Sequence, residues 1–233
     1  MRVTALVPSP VGTELLDDPA ADPAVVATSL RNISRSNRWF GGAAAVRHGL
    51  GQVLAGVPAG AELTLLDLGT GAGDLPCVAV RWGRRRGVTI RPVGLELSRV
   101  AARLARGVGV PSLVGCAGMP PLRDKSVDLV LASQLLHHLA PESAVQLLRV
   151  CDRVARVGVV IADLRRGRLA PLAFQVGARA LGFDRHTLAD GITSIRRGYT
   201  PAELRALLGA AGIAGRVSRR PMYRLVATWR PRS

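Results

Sequence analysis

The sequence predicts an α/β protein: a doubly wound, mostly parallel sheet with helices on both faces. Three observations predict it. Residues 63–74 read Leu-Thr-Leu-Leu-Asp-Leu-Gly-Thr-Gly-Ala-Gly-Asp, a buried strand running straight into a glycine-rich turn. Leu75, Val78, Ala79 and Trp82 then recur at helical spacing. Strand and helix patterns keep alternating downstream, as parallel strands joined by right-handed crossover helices require.

The elements follow in order. Residues 1–25, rich in Pro, Asp and Ala, predict a loose arm, and 24–54 read as two helices broken near Gly41-Gly42. The first strand, 63–68, passes through Gly69-x-Gly71-x-Gly73 into a helix over 74–86. Glycines there let the backbone take left-handed angles and approach a ligand closely. The second strand, 88–95, stops at Glu96. Ser98 is an N-cap for a helix over 98–106. A short third strand lies at 112–115 and a fourth at 127–133. Pro141 suits the first turn of the next helix, 142–155. The fifth strand is 157–163. Between Asp163 and Thr200 comes an insertion with one apolar helix, 169–181, and a polar stretch. Thr200-Pro201-Ala202-Glu203 is a capping box opening a helix over 201–211, which Gly212 ends. Residues 216–220 and 223–229 pair as closing strands. The chain thus divides into an arm and helical lid, 1–55, and a main domain, 56–233, whose insertion at 164–199 covers the site.

Composition bounds the partners. The 233 residues are 48% hydrophobic but only 3% aromatic, so Leu, Val and Ala build the core of a single domain. No apolar run approaches the roughly 18–20 residues that span a bilayer, and residues 1–10 lack signal-peptide organisation. Cys77, Cys116 and Cys151 are scattered and odd in number. They read as reduced thiols of a cytoplasmic protein, with no disulfide frame and no metal site expected. The net charge is +16, and Lys125 is the only lysine, so almost all of the positive charge is arginine. With so much Ala, Gly, Val and Pro, this reads as solvated arginines of a GC-rich coding sequence. A phosphate-binding patch is the sharper alternative, but no strip alternates basic and aromatic residues for single-strand stacking.

Open α/β sheets bind ligands outside the carboxyl ends of their strands. That rim gathers Gly69–Gly73, Glu96, Cys116, Ala117, Ser133–His138 and Asp163. Glu96, at a strand end, can accept both hydrogen bonds of a ribose diol. The dinucleotide fingerprint GxGxxG fits less well, because the third glycine comes one residue early and Asp74 stands in its place.

Three stretches resemble the class I S-adenosylmethionine-dependent methyltransferases. Asp67-Leu68-Gly69-Thr70-Gly71-Ala72-Gly73 is similar to that family's first motif. Glu96, in Gly94-Leu95-Glu96-Leu97-Ser98, is similar to its ribose-binding acid, and Val127–Ser133 to its fourth-strand motif. The resemblance covers residues 63–163 well and is nearest to the small-molecule branch that includes the ubiquinone and menaquinone C-methyltransferases. It implies a Rossmann-like fold with an antiparallel C-terminal edge hairpin and S-adenosylmethionine as cofactor. It places Asp67, Gly69, Thr70, Gly71, Gly73, Glu96, Leu97, Cys116, Ala117, Ser133 and Gln134 around that cofactor. One departure is Cys116, which stands where the family has an Asp for the adenine amino group. A thiol is a weak acceptor, so adenine contacts are expected from backbone near Ala117 and from Leu97 or Met119.

His137-His138 follows the fourth strand. Histidine can take a proton near neutral pH. Adjacent residues are expected to face opposite ways, and His138 resembles the family's active-site histidine, so His138 is the expected base and His137 a packing residue. No Asp-Pro-Pro-Tyr motif follows this strand, which argues against methylation of DNA bases or protein glutamine. Arg38, Trp39 and Phe40 belong to the expected lid, and Phe174, His186, Asp190, Arg196 and Tyr199 to the acceptor cover. The resemblance implies O- or C-methylation of a phenol, quinol or polyketide-like small molecule. An RNA methyltransferase and a non-catalytic partner protein of the same fold are the alternatives, and monomer and homodimer both stay open.

Overall fold

The computed structural model describes residues 9–18 and 20–231, so residues 1–8 of the predicted arm lie outside the described residues. Its strands are β1 (Glu62–Leu68), β2 (Thr89–Glu96), β3 (Ser112–Val114), β4 (Val127–Ser133), β5 (Ala155–Leu164), β6 (Arg216–Arg220) and β7 (Arg224–Trp229). They form one sheet in the order β3-β2-β1-β4-β5-β7-β6. Strands β1 to β5 pair in parallel, and β7 and β6 close the edge antiparallel. The Rossmann-like sheet expected from the sequence is therefore present, with its antiparallel edge hairpin.

Helices cover both faces: α1 (Pro23–Trp39), α2 (Gly42–Val53), α3 (Asp74–Arg84), α4 (Arg99–Gly107), α5 (Pro141–Val154), α6 (Ala170–Ala180), α7 (Arg185–Arg197) and α8 (Pro201–Ala210). The strands alternate sides, as a period of two requires. Leu65, Leu129, Leu131 and Val160 pack against α2 and α3, while Leu66, Val130, Ile161 and Leu225 pack against α5 and α8. Gly49 lets α2 lie flush on β5: a Cβ there would come within 2.3 Å of Val160 Cγ1.

Element bounds differ from the sequence expectation by no more than about two residues, the ordinary scatter at frayed ends. Two expectations fail. The polar stretch after α6 is a helix, α7, capped by Asp184, whose side chain accepts from the N–H groups of His186 and Thr187. The described part of the arm is not loose, because buried polar groups on α7 hold it. Among the described residues no helix is long and apolar enough to cross a membrane.

Candidate active site

Strand order reverses between β1 and β4, which opens a crevice at their carboxyl ends. A cavity of about 990 Å³ fills it. Small-molecule sites run to roughly 300–1,000 Å³, so there is room for a nucleoside-sized ligand and a second molecule. The glycine turn after β1, the end of β2, the segment after β4, the lid and the insertion all contribute to its wall.

At one end lie the turn and its acids. Gly69 and Gly71 have φ of 70° and 54°, the left-handed region that glycine tolerates. Glu96 ties the turn to β2: its Oε2 accepts from Gly71 N (2.9 Å) and its Oε1 from Ser98 N (3.1 Å). Each oxygen keeps lone pairs for a diol. Asp67 is buried at the floor of the cavity. Burial pushes its carboxyl up to about 8, and the charges of Asp74 and Glu96 push the same way. No Lys or Arg forms a salt bridge with Asp67 among the described residues. A buried carboxyl without a protein cation suits a ligand that carries one, as the methionine ammonium does.

At the other end the chain leaves β4 through Gln134, whose φ of 53° is left-handed, and enters a 3₁₀ turn, Leu136–His138. Asp163, at the end of β5, organises this turn from below. Its Oδ2 accepts from Leu136 N (3.0 Å), and its Oδ1 accepts from Leu164 N (2.7 Å) and faces His137 Nδ1 at 2.6 Å. Burial alone would raise this carboxyl, but the His137 ring and the Leu164 N–H outweigh it and hold it below its ordinary value. Asp163 is therefore a carboxylate, and His137 Nδ1 is the donor. With Nδ1 donating, the ring's other nitrogen is Nε2, which is buried with no hydrogen-bond partner among the described residues. His137 and His138 both line the cavity, with ring centroids 4.3 Å apart. This corrects the expectation that they face opposite ways. In a strand neighbours diverge by half a turn, but a 3₁₀ turn rotates them by only about 120°.

His138 is held differently. Its Nδ1 lies 3.0 Å from Asp17 Oδ1, and its Nε2 lies 3.9 Å from Glu14 Oε2. Both acids sit on the arm, which Arg197 of α7 pins across the cavity. Arg197 donates to Glu14 Oε1 (2.9 Å), Asp17 Oδ2 (2.9 Å) and the carbonyls of Val11 (2.6 Å) and Gly12 (2.7 Å).

The remaining predicted residues divide. Thr70, Leu97, Cys116, Ala117, Ser133, Gln134, Phe40 and Phe174 line the cavity together with the residues above. Gly73 does not: it packs against α4, where a Cβ would lie 3.1 Å from Ala105 Cα. Gln134 is a brace, donating to Asn37 Oδ1 (2.6 Å) and accepting from Arg224 Nη1 (2.7 Å). Asn37 in turn donates to Asp74 Oδ2 (3.1 Å), locking the lid onto the glycine turn. Trp39 is exposed, with Arg38 stacked on its ring, and neither lines the cavity. His186 and Arg196 lie outside it as well. Tyr199 is structural: its hydroxyl donates to Leu136 O (2.9 Å) and supports the histidine turn. Sequence reasoning missed Glu14, Asp17 and Arg197. Asp22-Pro23 marks the start of α1, but nothing local marks Glu14 and Asp17 as partners of α7.

Fold and rim together define the class I methyltransferase fold. Residues 66–162, from β1 to β5, match a family model described as "Methyltransferase domain". Over 145 residues the chain is 34% identical to an uncharacterized methyltransferase of Mycobacterium bovis, and equally to one of Mycobacterium tuberculosis. The match takes in 60% of this chain and 58% of the relative. Among solved structures, the plantazolicin methyltransferase BpumL in complex with SAH superposes with a TM-score of 0.66 at 11% identity, covering 94% of each chain. Human N-acetylserotonin methyltransferase in complex with SAM gives 0.62 at 16% identity, over 91% of this chain and 57% of that one. An S-adenosylmethionine-dependent methyltransferase from Aquifex aeolicus gives 0.59 at 19%, over 89% and 97%. S-adenosylmethionine is the cofactor this rim fits.

Two results are expected at the cofactor end. Glu96→Ala weakens cofactor binding by about 1.5–3 kcal/mol, the range for hydrogen bonds to a charged group; calorimetry reads it, and unchanged affinity in a folded variant removes Glu96 from the ribose. Asp67→Asn changes the pH dependence of folding. The unfolded carboxyl loses its proton near 3.8 and the folded one near 8. Between those values the folded state binds more protons, so stability falls as pH rises through that window. Asp67→Asn removes that fall, and its melting temperature exceeds the parent's at about pH 9 more than at about pH 5. Parallel pH profiles of the two proteins would show that Asp67 is not raised.

Proposed function

We propose that this protein transfers a methyl group from S-adenosylmethionine to a small organic acceptor, with His137 as the base and Asp163 as its orienting partner. The observation that carries this reading is a carboxylate-backed histidine with a buried, unpartnered Nε2 that lines the same cavity as the glycine turn. Bound there, the cofactor supplies a methyl group already made electrophilic by its sulfonium. The protein then has to bind, align, exclude water and move one proton.

Each task has its residues. Glu96 takes the ribose diol and Asp67 faces the ammonium. Leu97, Cys116 and Ala117 surround the adenine, with apolar contact and backbone groups in place of an Asp. Phe40 and Phe174, edge to face at 5.5 Å, and the pinned arm keep water from the acceptor. His137 Nε2 accepts the acceptor's proton while Asp163 holds the ring in one tautomer. This assignment departs from the sequence expectation, which gave the base to His138. The base suits an acceptor whose reacting O–H or C–H must be deprotonated: a phenol, a quinol or an enolisable polyketide-like carbon.

The acceptor is apolar and carries no phosphate. Its end of the cavity has Leu16, Ile33, Leu139 and Ile195 beside the acids Glu14, Asp17 and Asp190, two of which Arg197 pairs from behind. That acidic lining also works against the RNA reading, which requires a positive rim.

The test supplies radiolabelled S-adenosylmethionine with a panel of phenols, quinols and a small-molecule extract. Label is expected in an organic-extractable product. No transfer to any small-molecule fraction overturns the reading, and saturable cofactor binding without turnover would favour the non-catalytic alternative.

A further inference from the structure

We propose that Glu14, His137 and His138 form a binding site for a divalent transition-metal ion, Zn²⁺ first among them. One donor atom from each residue lies within 4.8 Å of the others. Glu14 meets the adjacent His137 and His138, far downstream in the chain, because the pinned arm lies across the 3₁₀ turn.

A second observation points to a ligand. His137 is 2% exposed, and its Nε2 has no hydrogen-bond partner among the described residues. A buried nitrogen left this way is costly unless something binds it. Asp163 already occupies Nδ1, so Nε2 is the atom left to bind something.

The surrounding groups fit a metal in three ways. Metal-binding imidazoles characteristically donate their other ring N–H to a carboxylate, which fixes the tautomer. Both rings here do so: His137 Nδ1 to Asp163 at 2.6 Å, and His138 Nδ1 to Asp17 at 3.0 Å. Arg197 Nη1, at 3.3 Å from His138 Nδ1, cannot accept, so an Nδ1–H points at Asp17, the nearer partner and an acceptor. The free Nε2 of His138 is the atom that faces Glu14 Oε2. Second, Glu14 is oriented from outside: Ser194 donates to Oε2 (2.7 Å) and Arg197 to Oε1 (2.9 Å). Third, the charges leave room for a dication. Three acids, Glu14, Asp17 and Asp163, outnumber the guanidiniums that act on them, Arg197 on the first two and Arg224 on the third.

Two imidazoles and one carboxylate are borderline donors. They select Zn²⁺, Co²⁺ or Ni²⁺ over Mg²⁺ and Ca²⁺, which want oxygen ligands throughout. Three protein ligands leave one position open toward the cavity. One consequence rests on the proposed base: a metal on His137 takes the lone pair that would accept the acceptor's proton, so Zn²⁺ inhibits methyl transfer reversibly.

The experiment titrates chelator-treated protein with Zn²⁺ by calorimetry and with Co²⁺ by visible absorption. One saturable site with cobalt ligand-field bands is expected. Glu14→Gln and His138→Ala each weaken it by at least about tenfold, while Cys77→Ser leaves it unchanged. Circular dichroism and thermal melting establish that the variants are folded; two ligand variants guard against one losing the arm. No saturable binding, or binding that both ligand variants leave intact, overturns the site. Binding lost in the variants, with transfer indifferent to Zn²⁺ in the parent, upholds the site and overturns His137 as the base.

Discussion

Replacing His137 by Ala lowers turnover by about 10²–10⁴, the range for losing a positioned general base, while cofactor affinity stays within a few-fold. The separation is expected because Asp67, Glu96 and the glycine turn lie at the other end of the cavity. His138→Ala lowers turnover less, since His138 faces the arm's acids and its Nε2 looks toward Glu14. Asp163→Asn is the companion variant. It retains one acceptor for the backbone groups of the turn but removes the carboxylate that fixes the His137 tautomer. Asp163→Ala would also strip the partners from Leu136 N and Leu164 N, so its loss would mix folding with chemistry. Added imidazole is expected to restore part of the activity of His137→Ala and none of that of Asp163→Asn, which a merely structural role would not produce. If neither histidine variant loses more than a few-fold, alignment alone carries the reaction and the acceptor arrives already ionised.

The sheet was legible because its signals are local. Leu63–Leu68, Val127–Ser133 and the capping box at Thr200 each declare themselves within ten residues, and a parallel sheet follows from their alternation. The rim was legible for the same reason: a parallel sheet places the carboxyl ends of β1, β2 and β4 on one side, so Asp67, Gly69 and Glu96 meet without knowledge of packing. The histidine turn was not. Which way His137 points depends on the left-handed Gln134 and on Asp163, which lies 26 residues away in sequence. The polar groups of the acceptor end were the least legible. Arg197 stands next to Arg196 in a run of helical polar residues, and nothing in the sequence tells them apart. Burial does: Arg197 turns inward under the arm, while Arg196 is exposed. The arm itself reads as loose because its order comes from α7, about 180 residues downstream.

Arg197→Met opens the arm. The parent guanidinium is 1% exposed and donates to two carboxylates and two carbonyls. Methionine keeps the volume and removes every donor. Glu14 and Asp17 would then be enclosed as charges facing carbonyl dipoles, and a buried ion pair broken on one side costs about 3–5 kcal/mol. The chain can relieve most of that by letting residues 9–18 swing into water, because the sheet does not depend on them. The loss therefore falls on the closed arm more than on the whole fold. Hydrogen exchange separates the two. Ser9 N donates to His138 O (2.7 Å) and Leu15 N to Asp190 Oδ2 (3.2 Å), and both amides should lose protection in Arg197→Met. Amides of β1 and β4 should keep theirs. Arg197→Lys does not rescue, since one ammonium cannot span four acceptors held in a fork. Adding Glu14→Gln and Asp17→Asn to Arg197→Met should recover part of the protection, because neutral amides can stay enclosed without a counter-charge. Since the arm walls the acceptor end, the single variant also raises the KM for the acceptor while leaving cofactor affinity unchanged. Full protection at Ser9 and Leu15 in the single variant would mean that other contacts hold the arm, and Arg197 would lose its role as the pin.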